Sequence, residues 1–448
     1  MSTPATELST RLRRTLEARV VEAQRSWRTP GLSVGVVLGG QLVWSHHVGA
    51  ARLDPVTPAD DDTQFMIGSI TKTFTAVLIM QLRDAGRLSL DDPIGTWLPD
   101  TRHAAVTVRQ LLAHSSGLAR EPVGHLWESL SAPDTDAFLT GLEQADQVLP
   151  PHFVFHYSNL AYALLGQVVE RLGANWESAV TTRILEPLGM TRTGLAPAAD
   201  RAVGYQVDPF AGTATEEPVL VLRATAPFGG LWSTVADMAR YAAFVAEPDP
   251  AVLAKDSLDE MCRPLVMVDP DGWTGAYGLG FGMARRGERI HVGHGGAMPG
   301  FLTGLRVRRP DRVGVIAFAN STSRALSVTL AADLLDAVLD DAPTVARAWV
   351  PEQRHPDLEE LLGPWWSEGE EVVLEIRSGE LWMRVPAGSA NDETRFTRES
   401  ATTFRAVEGR ERGEVLELVP SDDGPVQKLY FATYALTRRP LAFADLGG

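Results

Sequence analysis

The 448-residue chain has a single cysteine, Cys262, which excludes an internal disulfide and any multi-cysteine metal site. No thiol motif surrounds it, so it reads as a small residue in or near the core. Lysine is nearly absent too. Lys72, Lys255 and Lys428 are the only three among 41 basic residues, so each lysine is informative. The formal charge of -16 and the pI near 5.1 repel phosphate backbones and argue against a nucleic-acid partner. No run of about 20 apolar residues exists, which excludes a transmembrane helix. The ten histidines include no H-E-x-x-H and no cluster at ligand spacing, and no glycine-rich phosphate loop follows a strand. Neither a metal nor another cofactor is expected.

The first 27 residues lack the apolar core of a signal peptide. Leu8, Leu12, Leu16 and Val20 instead recur every four residues, one stripe of an amphipathic helix. The expected location is the cytoplasm, with no membrane partner.

Hydrophobic residues at 44% and charged residues at 22% describe a globular chain, and its length suits a large domain plus a small one. Apolar runs on either side of Gly39-Gly40 predict a β-hairpin over Gly31–Gly49. The spacing predicts helices over Ser69–Asp84, Val106–Leu112 and Ala161–Leu172. Strands follow at Arg289–Val292, Phe301–Arg308 and Arg312–Ala319, then a helix at Ala325–Leu339. Early and late strands enclosing a helical middle predict an α/β sandwich: one sheet covered by the terminal helices, beside a helical subdomain. Residues 342–355 read as a linker. Beyond them, short strands at Val372–Ile376, Leu381–Val385, Thr403–Val407, Val415–Val419 and Val426–Phe431 predict a small antiparallel barrel or sandwich. The expected domains are 1–345 and 352–448.

Three local patterns carry chemistry. In Ser69-Ile70-Thr71-Lys72, a helix starting at the serine puts Lys72 one turn later on the same face. Its amine can then activate a hydroxyl that is otherwise a poor nucleophile. The competing reading is an N-cap serine followed by a solvated lysine. In Tyr157-Ser158-Asn159, a loop can present a phenol to the serine and an amide to a substrate. The phenol can accept and return a proton if a nearby cation depresses its pKa. The competing reading is a buried tyrosine before a helix. In His294-Gly295-Gly296, glycines flanked by strands let a sheet edge approach a ligand. His47 and His291 read as ordinary strand residues, and His152 and His156 as loop residues.

These elements, in this order, resemble the class C β-lactamase and D-alanyl-D-alanine carboxypeptidase superfamily of S12 serine peptidases, which also contains esterases and peptide-cyclising thioesterases. The resemblance spans about residues 10–340. It includes Phe65-Met66-Ile67-Gly68, the run Val106 to Leu118, Gly229-Gly230-Leu231-Trp232-Ser233-Thr234 and Tyr277-Gly278-Leu279-Gly280. It implies that Ser69 is acylated and that Lys72 and Tyr157 act as general base and acid, in an order the sequence leaves open. It implies that Asn159, His294, Gly295 and Gly296 bind substrate. It places the oxyanion hole at the backbone N–H groups of Ser69 and Ala297. His294 stands where the family's lactamases carry a lysine. The last domain resembles a lipocalin-like barrel.

The function implied is a serine hydrolase acting on an ester or an amide, including amides next to a D-residue. The alternatives are transfer of a peptidyl group to an amine, and a slow binding or sensor protein. The expected partner is a small-molecule or peptide substrate, including a peptidyl thioester. The oligomeric state is left open.

Overall fold

A computed structural model describes residues 7–322, 327–341, 350–351, 353–386, 388, 392–419 and 426–442. The chain divides into two compact units, Met1–Ala346 and Arg347–Gly448.

The first unit is built on an eight-stranded antiparallel sheet. Helix α1 (Thr10–Trp27) is capped by Ser9, whose hydroxyl accepts from Leu12 N–H. Strands β1 (Gly31–Leu38) and β2 (Gln41–Gly49) form the expected hairpin, turned through Gly39 and Gly40 at φ +55° and +90°. Positive φ at both turn residues matches the right-handed strand twist, and glycine adopts it without a Cβ clash. The remaining strands come late: β3 (Val266–Met267), β4 (Gly275–Tyr277), β5 (Gly282–Arg286), β6 (Arg289–Met298), β7 (Phe301–Arg308) and β8 (Val313–Ala319). Their order, β2-β1-β8-β7-β6-β5-β4-β3, brings the first hairpin beside the last strand.

Both β1 and β8 are buried along their whole length, which a strand achieves only when both sheet faces are covered. One face packs against α1 and the late helix Ser327–Asp341; the α1 stripe Leu12, Leu16, Val20 and Ala23 lies in that layer. The other face carries the larger core, which includes α2 (Thr71–Asp84), α3 (Asn159–Arg171) and α4 (Val235–Ala246). The late helix is α5 (Ser327–Asp341).

Several expectations shift in detail. The helix expected from Ser69 begins at Thr71, and Ser69 lies in a preceding 3-10 turn, Gly68–Ile70. The helix expected over Val106–Leu112 is one turn, Val108–Leu112, closed by a capping box between Thr107 and Gln110. The strand expected to end at Val292 runs on to Met298, so the glycine-rich run is itself part of β6. Short β3, β4 and β5 give too little alternation to stand out in sequence. Of the expected linker, residues 342–349 and 352 lie outside the described residues.

The second unit is a closed eight-stranded antiparallel barrel in simple sequential order, from Gly363–Ser367 to Tyr434–Thr437. Trp366 pairs with Thr437 to close it, which leaves no free edge. Trp365, Leu374, Phe396, Phe404, Leu416 and Leu429 fill its interior. Three of its strands, Gly363–Ser367, Thr394–Arg398 and Tyr434–Thr437, were not legible in the sequence. The first contains a proline, the second is mostly polar and charged, and the third is only four residues long.

Candidate active site

The site begins at a crossing of two glycines. Gly68 sits at φ +53°, and a Cβ there would lie 2.9 Å from Ala297 N. A Cβ on Gly296 would lie 2.0 Å from the Ile67 carbonyl oxygen. Only glycine at both positions lets the Ser69 turn lie directly on β6. Thr303 Oγ1 donates to the Ile67 carbonyl at 2.9 Å and fixes that contact. On the other side, Ile67 N–H donates to Leu231 O, and Phe65–Met66 pairs with Trp232–Ser233. The Gly229 to Thr234 run therefore anchors the turn that presents Ser69.

Strand β5 pairs with β6 only as far as Gly293, so His294 to Met298 has a free edge on that side. Met298 pairs with Phe301 across a two-residue turn. Antiparallel alternation then points the Ala297 N–H away from β7. It lies beside the first amides of the Ser69 turn, which have no partner within their own turn.

Lys72 is fully buried. Its Nζ meets three oxygens: Asn159 Oδ1 at 2.7 Å, the Phe228 carbonyl at 2.8 Å and Ser69 Oγ at 3.1 Å. Asn159 cannot turn its amide around, because Nδ2 donates to both Glu121 carboxylate oxygens, at 2.8 and 2.9 Å. Two of the three partners are thus obligate acceptors. A neutral amine has two N–H groups, which these acceptors take, and its lone pair is left for the Ser69 hydroxyl. Burial lowers the Lys72 pKa well below that of a free lysine; Glu121 opposes the shift and Arg120 adds to it.

The Tyr157 ring lies 4.9 Å from Lys72 Nζ and 5.1 Å from the Arg120 guanidinium. Burial pushes the phenol upward, and the bond to Ser69 and the charge of Arg120 only partly offset it. This is opposite to the shift that a phenolate base requires, so Tyr157 is held as a protonated phenol. Its loop is stitched to the segment 114–120: His156 N–H donates to His114 O, Ser158 Oγ to Ala119 O and Asn159 N–H to Arg120 O.

His294 is buried and neutral. Its Nδ1 faces the Gly295 carbonyl, which can only accept, so Nδ1 carries the proton. Nε2 then accepts from the Tyr277 hydroxyl at 3.0 Å. Burial first, then the charge of Lys72, brings its pKa down to about 3. His294 is thus an uncharged ring whose two nitrogens are both engaged.

A cleft of about 1100 Å³ opens over Ser69, Tyr157, Asn159 and the edge His294 to Met298. Trp127 stands on its wall, 6.3 Å from the Phe228 ring. Its charged wall residues are Arg120, Glu121, Glu128 and Glu217. Ser69, Tyr157, Asn159, His294, Gly295, Gly296 and Ala297 therefore line one cleft, and Lys72 lies buried behind Ser69.

Sequence reasoning missed Arg120, Glu121, the Phe228 carbonyl and the Tyr277 hydroxyl. None is tied to Ser69 by short spacing; the fold alone brings them in. His152 and His156 lie in the Tyr157 loop, with His152 exposed beside Gln110. His47, on β2, bonds Ser33 and Asp61, while His291 is buried on β6 beside Asp336. Cys262 packs against the main core, where burial pushes its thiol up to about 12. Among the described residues, no His/Cys/Asp/Glu group is placed to hold a metal, and no helix is long and apolar enough to cross a membrane.

An antiparallel sheet between helical layers, with a serine–lysine turn facing a tyrosine loop and a glycine-rich strand edge, defines the penicillin-recognising class of serine-hydrolase folds. Residues 16–340 match the Beta-lactamase family, and the chain belongs to it. Residues 354–438 match a domain of unknown function, DUF7586.

Beta-lactamase-like protein 2 of Dictyostelium discoideum is 31% identical over 63% of this chain and 54% of its own length. Esterase EstB of Burkholderia gladioli is 32% identical over 41% of this chain and 51% of its own. The matches thus span about half of either relative. The octameric penicillin-binding protein homologue from Pyrococcus abyssi covers 95% of this chain and 99% of its own, at 25% identity and TM-score 0.66. The D-stereospecific amidohydrolase from Streptomyces sp. covers 70% and 97%, at 25% identity and TM-score 0.60.

Proposed function

We propose that this chain is a serine hydrolase that forms an acyl-enzyme at Ser69 from an uncharged ester, or from an amide next to a D-residue. The observation that carries the reading is the Lys72 amine, buried and fixed by Asn159 and the Phe228 carbonyl with its third position on Ser69 Oγ. Neutral Lys72 takes the hydroxyl proton as Oγ attacks the substrate carbonyl. The N–H groups of Ser69 and Ala297 hold the oxyanion. The proton passes through the Tyr157 hydroxyl to the leaving oxygen or nitrogen, whose bond to the acyl carbon breaks. Water then attacks the acyl carbon and loses a proton to the same pair; the bond to Ser69 Oγ breaks, Oγ takes that proton back, and the acid leaves.

The names of two relatives, an esterase and a D-stereospecific amidohydrolase, support this substrate range. The charge of the cleft supports the preference for uncharged substrates. His294 supplies no cation, and three carboxylates stand against one arginine on the walls. A β-lactam carboxylate meets no cation at the His294 edge, and the one arginine on the walls, Arg120, lies 3.6 Å from the Glu121 carboxylate.

The test is kcat/KM for nitrocefin against a neutral p-nitrophenyl ester. The ester is expected to be the better substrate, and His294→Lys is expected to move the ratio toward nitrocefin. Nitrocefin turnover exceeding ester turnover in the wild type would overturn the substrate reading.

A second reading uses the same acyl-enzyme: transfer of a peptidyl group to an amine, as in peptide macrocyclisation. Room in the cleft and the carboxylates Glu128 and Glu217 on its wall favour an amine-bearing chain. Mass spectrometry of products from a peptidyl thioester separates the two, since transfer lacks the added water.

A further inference from the structure

The loop that carries Tyr157 is held by main-chain bonds and by a few bonds that depend on a side chain, and one of these goes to His114. His114 brackets Tyr157 from both sides. Its carbonyl accepts His156 N–H at 2.8 Å, and its ring Nδ1 accepts Ser158 N–H at 3.1 Å. The ring lies against the phenol, with centroids 4.3 Å apart, and against Tyr162 and Tyr277 at 5.1 and 4.8 Å.

The sequence makes this an unusual place for histidine. His114 has φ +54°, a conformation that costs an L-residue with a bulky side chain, and its imidazole is completely buried. Because Nδ1 accepts from a backbone N–H, the proton sits on Nε2, and Nε2 has no hydrogen-bond partner. A buried unsatisfied N–H loses its bond to water and gains none in return. A residue that is strained, buried and half-satisfied is poorly explained by stability alone. Its ring also reaches the site through Phe155 and Tyr157 of the loop and, through Tyr277, the His294 edge. Burial above all, with the charge of Arg120 adding to it, keeps the ring neutral and so keeps Nδ1 an acceptor.

We propose that His114 is a positioning residue: its Nδ1 fixes Ser158 N–H and its ring face backs the phenol, so that Tyr157 is held toward Ser69. The proposal rests on the proton-transfer role given to Tyr157. His114 itself touches neither substrate nor the Ser69 hydroxyl.

The experiment uses the full chain and two substitutions. His114→Gly accepts the positive φ but removes the acceptor and the ring. His114→Asn also tolerates that φ, and its Oδ1 stands where Nδ1 stood. On a neutral activated ester, the glycine variant is expected to lose at least tenfold in kcat with KM within about twofold. The asparagine variant is expected to keep kcat within about fivefold. In a Tyr157→Phe background, adding His114→Gly is expected to change kcat by less than about twofold, because the group it positions is already gone.

An undiminished kcat in His114→Gly would overturn the proposal. So would an equal loss in the presence and absence of the Tyr157 hydroxyl, which is the signature of a purely structural role. If the glycine variant does not fold, the asparagine variant decides alone, and a loss as large as that of Tyr157→Phe would overturn the proposal. The two readings fail differently. Full activity in Tyr157→Phe overturns the proton-transfer role and the His114 proposal together, whereas a large loss there with additive behaviour overturns the His114 proposal alone.

Discussion

Lys72 Nζ donates to Asn159 Oδ1 at 2.7 Å, and that bond can run in only one direction because the other end of the same amide is held by Glu121. The chain Lys72–Asn159–Glu121 thus links a buried amine to a carboxylate on the wall of the cleft. Glu121 raises the Lys72 pKa against the larger lowering by burial. Removing its charge therefore lets the amine lose its proton at lower pH. Glu121→Gln keeps an acceptor for Asn159 and is expected to move the acid limb of kcat/KM to lower pH, with the plateau within about tenfold of wild type. A limb that moves to higher pH, or does not move, would show that Lys72 is not the group that titrates.

Lys72 and Tyr157 meet the same hydroxyl, so they are expected to behave as one unit. Lys72→Ala and Tyr157→Phe should each lower kcat by at least ~100-fold, the scale of a lost acid or base. The double variant should fall far short of the product of the two losses. Multiplicative losses in the double variant would contradict a shared proton path.

How much of this was legible in the sequence depends on the distance over which the information is local. Ser69 and Lys72 share one turn, and Tyr157 and Asn159 share one loop, so spacing alone groups each pair. The α1 stripe and the Gly39-Gly40 hairpin were legible for the same reason. Glu121, the Phe228 carbonyl and Tyr277 were not, because a loop, a 3-10 turn and the end of the short strand β4 carry them in from distant positions. The sequence made the phenol's role conditional on a nearby cation depressing its pKa; it showed neither that Arg120 is that neighbour nor the burial that outweighs it. The barrel was legible as a texture of short strands, although three of the eight were hidden by a proline, by polar composition or by shortness.

We infer a boundary between the catalytic unit and the barrel within residues 342–355, in the Pro- and Ala-rich stretch that separates the two matched families. Limited proteolysis is expected to cut there first and to leave both fragments resistant. A first cut inside the paired strand Glu380–Arg384 would contradict the boundary.

The most direct measurement is the mass of the protein after reaction with a fluorophosphonate, followed by peptide mapping, in wild type and in Ser69→Ala. A single adduct on Ser69, absent from a folded and inactive Ser69→Ala variant, is the expected result. An adduct on another serine, or full turnover in Ser69→Ala, would contradict the assignment of Ser69 as the nucleophile.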